Sequence, residues 1–222
     1  MKKLSVLIVA ASCCLGLSSC GSIYSPSLHL AHDPIEKNHG QLTAAMSALP
    51  QTGLGNVSAA GCGEFEAAYG FSNSVSIEGK VWSQASEVYQ GQYNGGGALS
   101  ATIMLSSREA DLPIAIIPSG SMLVENRDIK AMGAMVRAAM WLPTVGIFRP
   151  YVAAGPGFMA SNFKQNDWGY GAVTNLGVSA KFSDHFSANL ELLGALQQYR
   201  KYTTWNGYLA PTLSVSWAFD NE

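Results

Sequence analysis

Apolar and polar positions alternate one for one through most of this chain. From Ala172 to Phe182, the positions Ala172, Thr174, Leu176, Val178, Ala180 and Phe182 interleave with Val173, Asn175, Gly177, Ser179 and Lys181. A repeat of two is the period of a strand, because successive side chains leave opposite faces of a pleated backbone. After Ser183-Asp184 the rule resumes with Phe186, Ala188, Leu190, Leu192 and Gly194 against Ser187, Asn189, Glu191 and Leu193. It returns a third time with Leu209, Pro211, Leu213, Val215, Trp217 and Phe219 against Thr212, Ser214 and Ser216. Upstream, the same reading predicts strands over 41–47, 61–71, 75–82, 98–105, 114–124, 132–142 and 150–159. That makes ten strands, or eight if 41–47 and 114–124 do not span. The segment 114–124 is the weakest, since Pro118 and Gly120 interrupt it and proline marks a bulge, an edge or no strand.

Two features point to a barrel in a membrane. The best strands have the length of about 9–11 residues that a tilted strand needs to cross a bilayer. The charges Glu64, Glu66, Glu78, Lys80, Arg137, Lys181 and Glu191 all fall on the polar side of their strands. On a lipid face a midplane Lys or Arg costs about 2–4 kcal/mol, so such segregation is demanded there. These seven are expected to form a lumen network of mixed sign. The connections, with 49–59 taken as a loop, read as long and short in turn, as an up-and-down transmembrane barrel requires. The expected fold is therefore all-β, an antiparallel up-and-down transmembrane β-barrel.

The N-terminus adds an address. Lys2 and Lys3 precede an apolar run to Leu17, and Leu17-Ser18-Ser19-Cys20 follows. This resembles a bacterial lipoprotein signal peptide with its lipobox, which implies cleavage before Cys20 and acylation of that cysteine. Cys13 and Cys14 lie inside the signal, and Cys13 lacks the preceding Leu. Residues 1–19 are then the signal, 20–39 a lipidated tether and 40–222 the barrel. After cleavage only Cys20 and Cys62 remain, so no internal disulfide is expected, and Cys62 reads as a small buried or lipid-facing residue.

Composition narrows the function. Only 13% of residues are charged, with 13 basic and 15 acidic, which speaks against nucleic acid as a partner. His29, His32 and His39 are loosely spaced and lack a supporting Cys or carboxylate cluster, so no metal and no cofactor is expected. His185, the fourth histidine, falls in a predicted turn, leaving a Ser-His or Asp-His mechanism without its base. No catalytic residues are expected, and the chain does not read as an enzyme.

The motif Arg149-Pro150-Tyr151-Val152-Ala153-Ala154-Gly155-Pro156-Gly157, with Leu176-Gly177-Val178 and Phe182-Ser183-Asp184-His185-Phe186, resembles the small outer-membrane β-barrels related to OmpA. Tyr24, Pro26, His39-Gly40-Gln41 and Phe65-Glu66-Ala67-Ala68-Tyr69-Gly70-Phe71 resemble lipoprotein barrels of Gram-negative bacteria. One departure is the end, where Asp220-Asn221-Glu222 follow Phe219 in place of a terminal aromatic residue. The resemblance implies a monomer in the cell outer membrane, in contact with lipid, with a structural or surface-interaction role. An extracellular partner would meet loops 83–96, 160–168 and 197–206, which carry Tyr89, Tyr93, Trp168, Tyr199, Tyr202 and Trp205. Trp168 and Tyr202 are read rather as members of an aromatic girdle at the membrane surface. The alternatives are a narrow pore for small solutes and a lipid-anchored soluble β-barrel that binds a ligand.

Overall fold

The computed structural model describes residues 33–53, 56–85, 94–125, 128–161, 167–200 and 205–220. Ten strands close into one antiparallel barrel, each bonded to the next in sequence and the last to the first. They are β1 (His39–Gly53), β2 (Asn56–Gly70), β3 (Val75–Ala85), β4 (Asn94–Met104) and β5 (Ile114–Glu125). The circle continues with β6 (Asp128–Trp141), β7 (Phe148–Ser161), β8 (Asp167–Lys181), β9 (Phe186–Tyr199) and β10 (Asn206–Asp220). Closure joins the last strand to the first, the arrangement by which a strand protein pairs its backbone in hydrocarbon.

Both doubtful strands form. The segment 114–124 is β5 despite Pro118, and 41–47 is the middle of the longer β1. The expected loop 49–59 is corrected, because its residues extend β1 and β2 into one hairpin paired from Ala48↔Gly61 to Gly53↔Asn56. Pro50 is tolerated there for a reason sequence composition conceals. Pairing of β1 with β10 ends at Ser47↔Thr212, so beyond that point β1 has a free side on which no N–H is required. The expected alternation of long and short connections fails with it. The turn 105–113, between β4 and β5, is long although it lies at the end of the barrel where short turns were expected.

Burial is inverted relative to a soluble barrel. Leu190 and Leu213 are 57% and 59% exposed, while Glu66 and Arg137 are each 1% exposed. Outward positions carry Met46, Phe65, Val81, Leu99, Val136, Leu176 and Trp217. Aromatic pairs collect at both ends of this band, with Phe158 stacked on Trp168 and Tyr170 edge-on to Trp205 at one end. Phe182 with Phe186 and Trp217 with Phe219 stand at the other.

The end that holds both strand termini is partly covered by residues 33–38. Ile35 is buried, the Asn38 N–H donates to Gly70 O at 2.8 Å, and Asp33 faces Arg149 at 3.9 Å. Gly70 is required at that contact, since a Cβ would meet the Glu36 carbonyl. Asn38 takes a left-handed turn, φ 63°, to deliver the chain into β1. Arg108, in the 105–113 turn, donates to Ser72 O, and burial lowers its guanidinium pKa against an opposing pull from Glu36.

Candidate functional site in the barrel interior

Inward positions follow from register. Glu66 of β2 stands opposite Lys80 of β3, and Glu78 lies one inward position from Lys80 on the same strand. The Lys80 ammonium meets Glu66 Oε2 at 3.2 Å and Glu78 Oε1 at 2.7 Å, with all three side chains buried. Next to this group Ser47 donates to Glu64 Oε1 at 2.7 Å and contacts the Thr212 hydroxyl at 2.9 Å. Hydroxyls and amides continue the polar lining, with Thr43 against Ser216 and Asn189 donating to Ser214.

A second network crosses the opposite wall. Arg137 of β6 donates to Asn175 Oδ1 at 3.2 Å and reaches Ser119 Oγ at 3.5 Å. Asn175 in turn donates to Glu191 Oε1 at 2.7 Å, and the Tyr151 hydroxyl donates to Glu191 Oε2 at 2.8 Å. A missing side chain makes the last bond possible. Tyr151, Gly177 and Glu191 form one row across β7, β8 and β9, and a Cβ on Gly177 would fall on the Tyr151 ring. The ring therefore crosses β8 to reach β9. Trp82 uses the same device, lying over Gly96 of β4.

Apolar layers flank the polar belt. Toward the β1–β2 hairpin, Cys62, Trp82, Val173, Leu193 and Ala210 pack with Leu123 and Met135. Toward the other end, Met104, Ala115, Ile117, Ala139, Trp141, Tyr151 and Ala153 form a second cluster. The polar belt and the two apolar layers thus follow one another along the interior of the ten-stranded barrel. The expectation from sequence held charges alone and missed these layers. Their signal was present, because Trp82, Trp141, Val173 and Leu193 all sit on the inward phase of their strands.

Six of the seven candidate lumen charges are buried: Glu64, Glu66, Glu78, Lys80, Arg137 and Glu191. Lys181 is corrected. It lies at the end of β8, where the inward phase has reached the rim, and it is exposed and pairs with Asp184 at 3.1 Å. His39 opens β1 rather than ending a tether, with Nε2 2.9 Å from Asp220 and Nδ1 2.9 Å from Lys37 O. His185 sits in the β8–β9 turn against Ala218 O at 3.2 Å. Trp168 belongs to β8 rather than to a loop, and Arg200 lies 5.9 Å over its ring. Cys20, His29, His32, Tyr89, Tyr93 and Tyr202 lie outside the described residues.

No family model matches the chain, and no curated protein does. Among solved structures it is similar to the N-terminal β-barrel domain of OprF from Pseudomonas aeruginosa, at 15% identity, covering 82% of this chain and 98% of that one with a TM-score of 0.39. An outer membrane channel from Pseudomonas putida F1 is similar at 7% identity over 89% of this chain and 100% of that one, TM-score 0.49. The outer membrane protease OmpT from Escherichia coli is similar at 7% identity over 88% and 100%, TM-score 0.45. Channels and a protease stand side by side in that set, and similarity at this level transfers no activity.

Proposed function

We propose that this chain is an outer-membrane β-barrel lipoprotein, held additionally by an acylated Cys20, whose filled barrel serves a structural or surface-interaction role. The observation that carries this is the inversion of burial, with leucine and phenylalanine outward and glutamate, lysine and arginine inward on the same strands. In water such a wall would expose an apolar band far larger than a few hundred Å², the usual limit for a soluble monomer. In a bilayer the same wall is solvated by lipid. The paired ions and the two apolar layers favour a closed interior over a conducting one, because both place side chains across the path that solute would take. The protein then acts through what its strands hold at the cell surface.

The test is a pair of substitutions read in the folded, bilayer-inserted protein. Leu190→Arg places a cation on the outward band and should cost about 2–4 kcal/mol in denaturant titrations. A soluble barrel would accept the same surface change within about 0.5 kcal/mol, which would refute the membrane placement. Planar-bilayer recordings of the wild type should be silent. Steady conductance would replace the closed-barrel reading with the narrow pore. Loss of fatty-acid labelling in Cys20→Ala tests the anchor separately.

A further inference from the structure

The outward wall is not uniform. Small outward residues such as Ala67, Gly79, Ala172 and Ala188 occur elsewhere, but across β4 to β7 the outward positions Ala101, Pro118, Gly120, Ala134 and Pro156 are all small or cyclic and adjoin one another in register. The backbone ladder lapses at the same level. Pairing of β4 with β5 runs to Ser100↔Ser119 and resumes at Ile103↔Ile116, skipping Pro118. Pairing of β6 with β7 runs to Met135↔Gly157 and resumes at Ala138↔Ala154, skipping Pro156. Pro118 and Val136 are partners, so the two lapses flank the β5–β6 ribbon at one height. Proline has no N–H to give a ladder, and strands that are not bonded can stand apart. The result is a groove of about 650 Å³ walled by Ile77, Leu99, Val136 and Phe158, whose floor reaches Ser100 and Ser119.

We propose that this groove is a binding site for one acyl chain of a membrane lipid. The proposal rests on the membrane placement above, since that placement puts hydrocarbon chains against this wall. The groove is shallow and open to the surroundings of the wall, so a chain can lie in it without entering the barrel. Its lining is almost wholly aliphatic and aromatic, so a chain gains dispersion contacts there that a convex stretch of wall cannot offer. Shape decides against a second copy of the barrel, because two convex cylinders meet along a line and leave a concavity empty. The two prolines and the small floor residues are what make the dent, since here the small positions coincide with the two lapses in the ladder.

The experiment uses the full-length protein in phosphatidylethanolamine and phosphatidylglycerol vesicles doped with a phospholipid carrying a diazirine on one acyl chain. After illumination, labelled residues are mapped by mass spectrometry. Label should concentrate on Ala134, Pro118 and Phe158 over outward residues of the far wall such as Leu190 and Leu213. Gly120→Leu should fill the groove and cut that excess about tenfold, the change in occupancy that a lost leucine-sized contact can produce. The site accepts the added side chain, since a Cβ at Gly120 meets only Gly133 O at 3.9 Å. Ala188→Leu on the far wall should leave the excess intact. Even labelling around the whole wall would overturn the groove while sparing the membrane placement. Failure to label Leu190 and Leu213 as well would overturn both. A cross-linked species of twice the mass, with the groove unlabelled, would assign this wall to a second barrel.

Discussion

Lys80 and Arg137 are the two buried cations described in this barrel, and they are held differently. Lys80 touches two carboxylates directly, so charge meets charge within 3.2 Å. Arg137 bonds to the neutral Asn175 amide and the Ser119 hydroxyl, and Asn175 passes the contact on to Glu191. Burying an ion is costly in either case, and the two arrangements repay the cost by different routes. A flexible ammonium with three donors suits a cleft between carboxylates, whereas a planar guanidinium with five donors suits a network of several partners. A concentrated ion pair is therefore fragile to the loss of its centre, while a distributed network should lose less when any one member is removed.

That contrast ranks the consequences of mutation. Lys80→Met should be the most damaging interior change, because it leaves Glu66 and Glu78 together in a buried site without the cation between them. Removing one partner of a buried pair costs about 3–5 kcal/mol. The triple variant Lys80→Met, Glu66→Gln, Glu78→Gln should recover much of that loss, measured by urea unfolding in vesicles. A triple variant no better than Lys80→Met alone would show that packing of the lysine stem, rather than charge, sets the cost.

Arg137→Met should follow at about 1–3 kcal/mol, the cost of the hydrogen bonds that Asn175 and Ser119 lose. Glu191 keeps bonds from Asn175 and Tyr151 in that variant. If Arg137→Met proves as costly as Lys80→Met, the two centres are equivalent and the distinction between them falls.

How much of this was legible beforehand depends on the period and on what the period omits. Alternation located all ten strands and placed Glu64, Glu66, Glu78, Lys80, Arg137 and Glu191 on one face, since each is an even number of residues from its strand's other inward positions. It could not say where that face stops being a lumen, which is why Lys181 was carried too far. Nor could it see Pro50 as a strand residue, because the free side of β1 depends on where β10 ends. The Arg137–Asn175–Glu191–Tyr151 network was invisible for a related reason. Asn175 and Tyr151 are uncharged, and their partners are set by register between strands that the sequence leaves free to slide.

The smallest effects come from the row of Tyr151, Gly177 and Glu191, and they separate the hydroxyl from the ring. Tyr151→Phe removes one donor to Glu191 but keeps the ring in the apolar cluster with Trp141 and Ile117. A bond to a charged acceptor is worth about 1.5–3 kcal/mol, and the Asn175 donor that remains should hold the loss to the lower end. Gly177→Ala acts on the same bond from beneath, since its Cβ would occupy the place of the ring and force Tyr151 away from β9. It should cost at least as much as Tyr151→Phe, and in the double variant the two losses should add to less than their sum, because the bond can be broken only once. Strict additivity in a double-mutant cycle, read from thermal shifts of the folded band on a gel, would mean that Gly177 serves the backbone alone and that the crossing of β8 by Tyr151 has no energetic consequence.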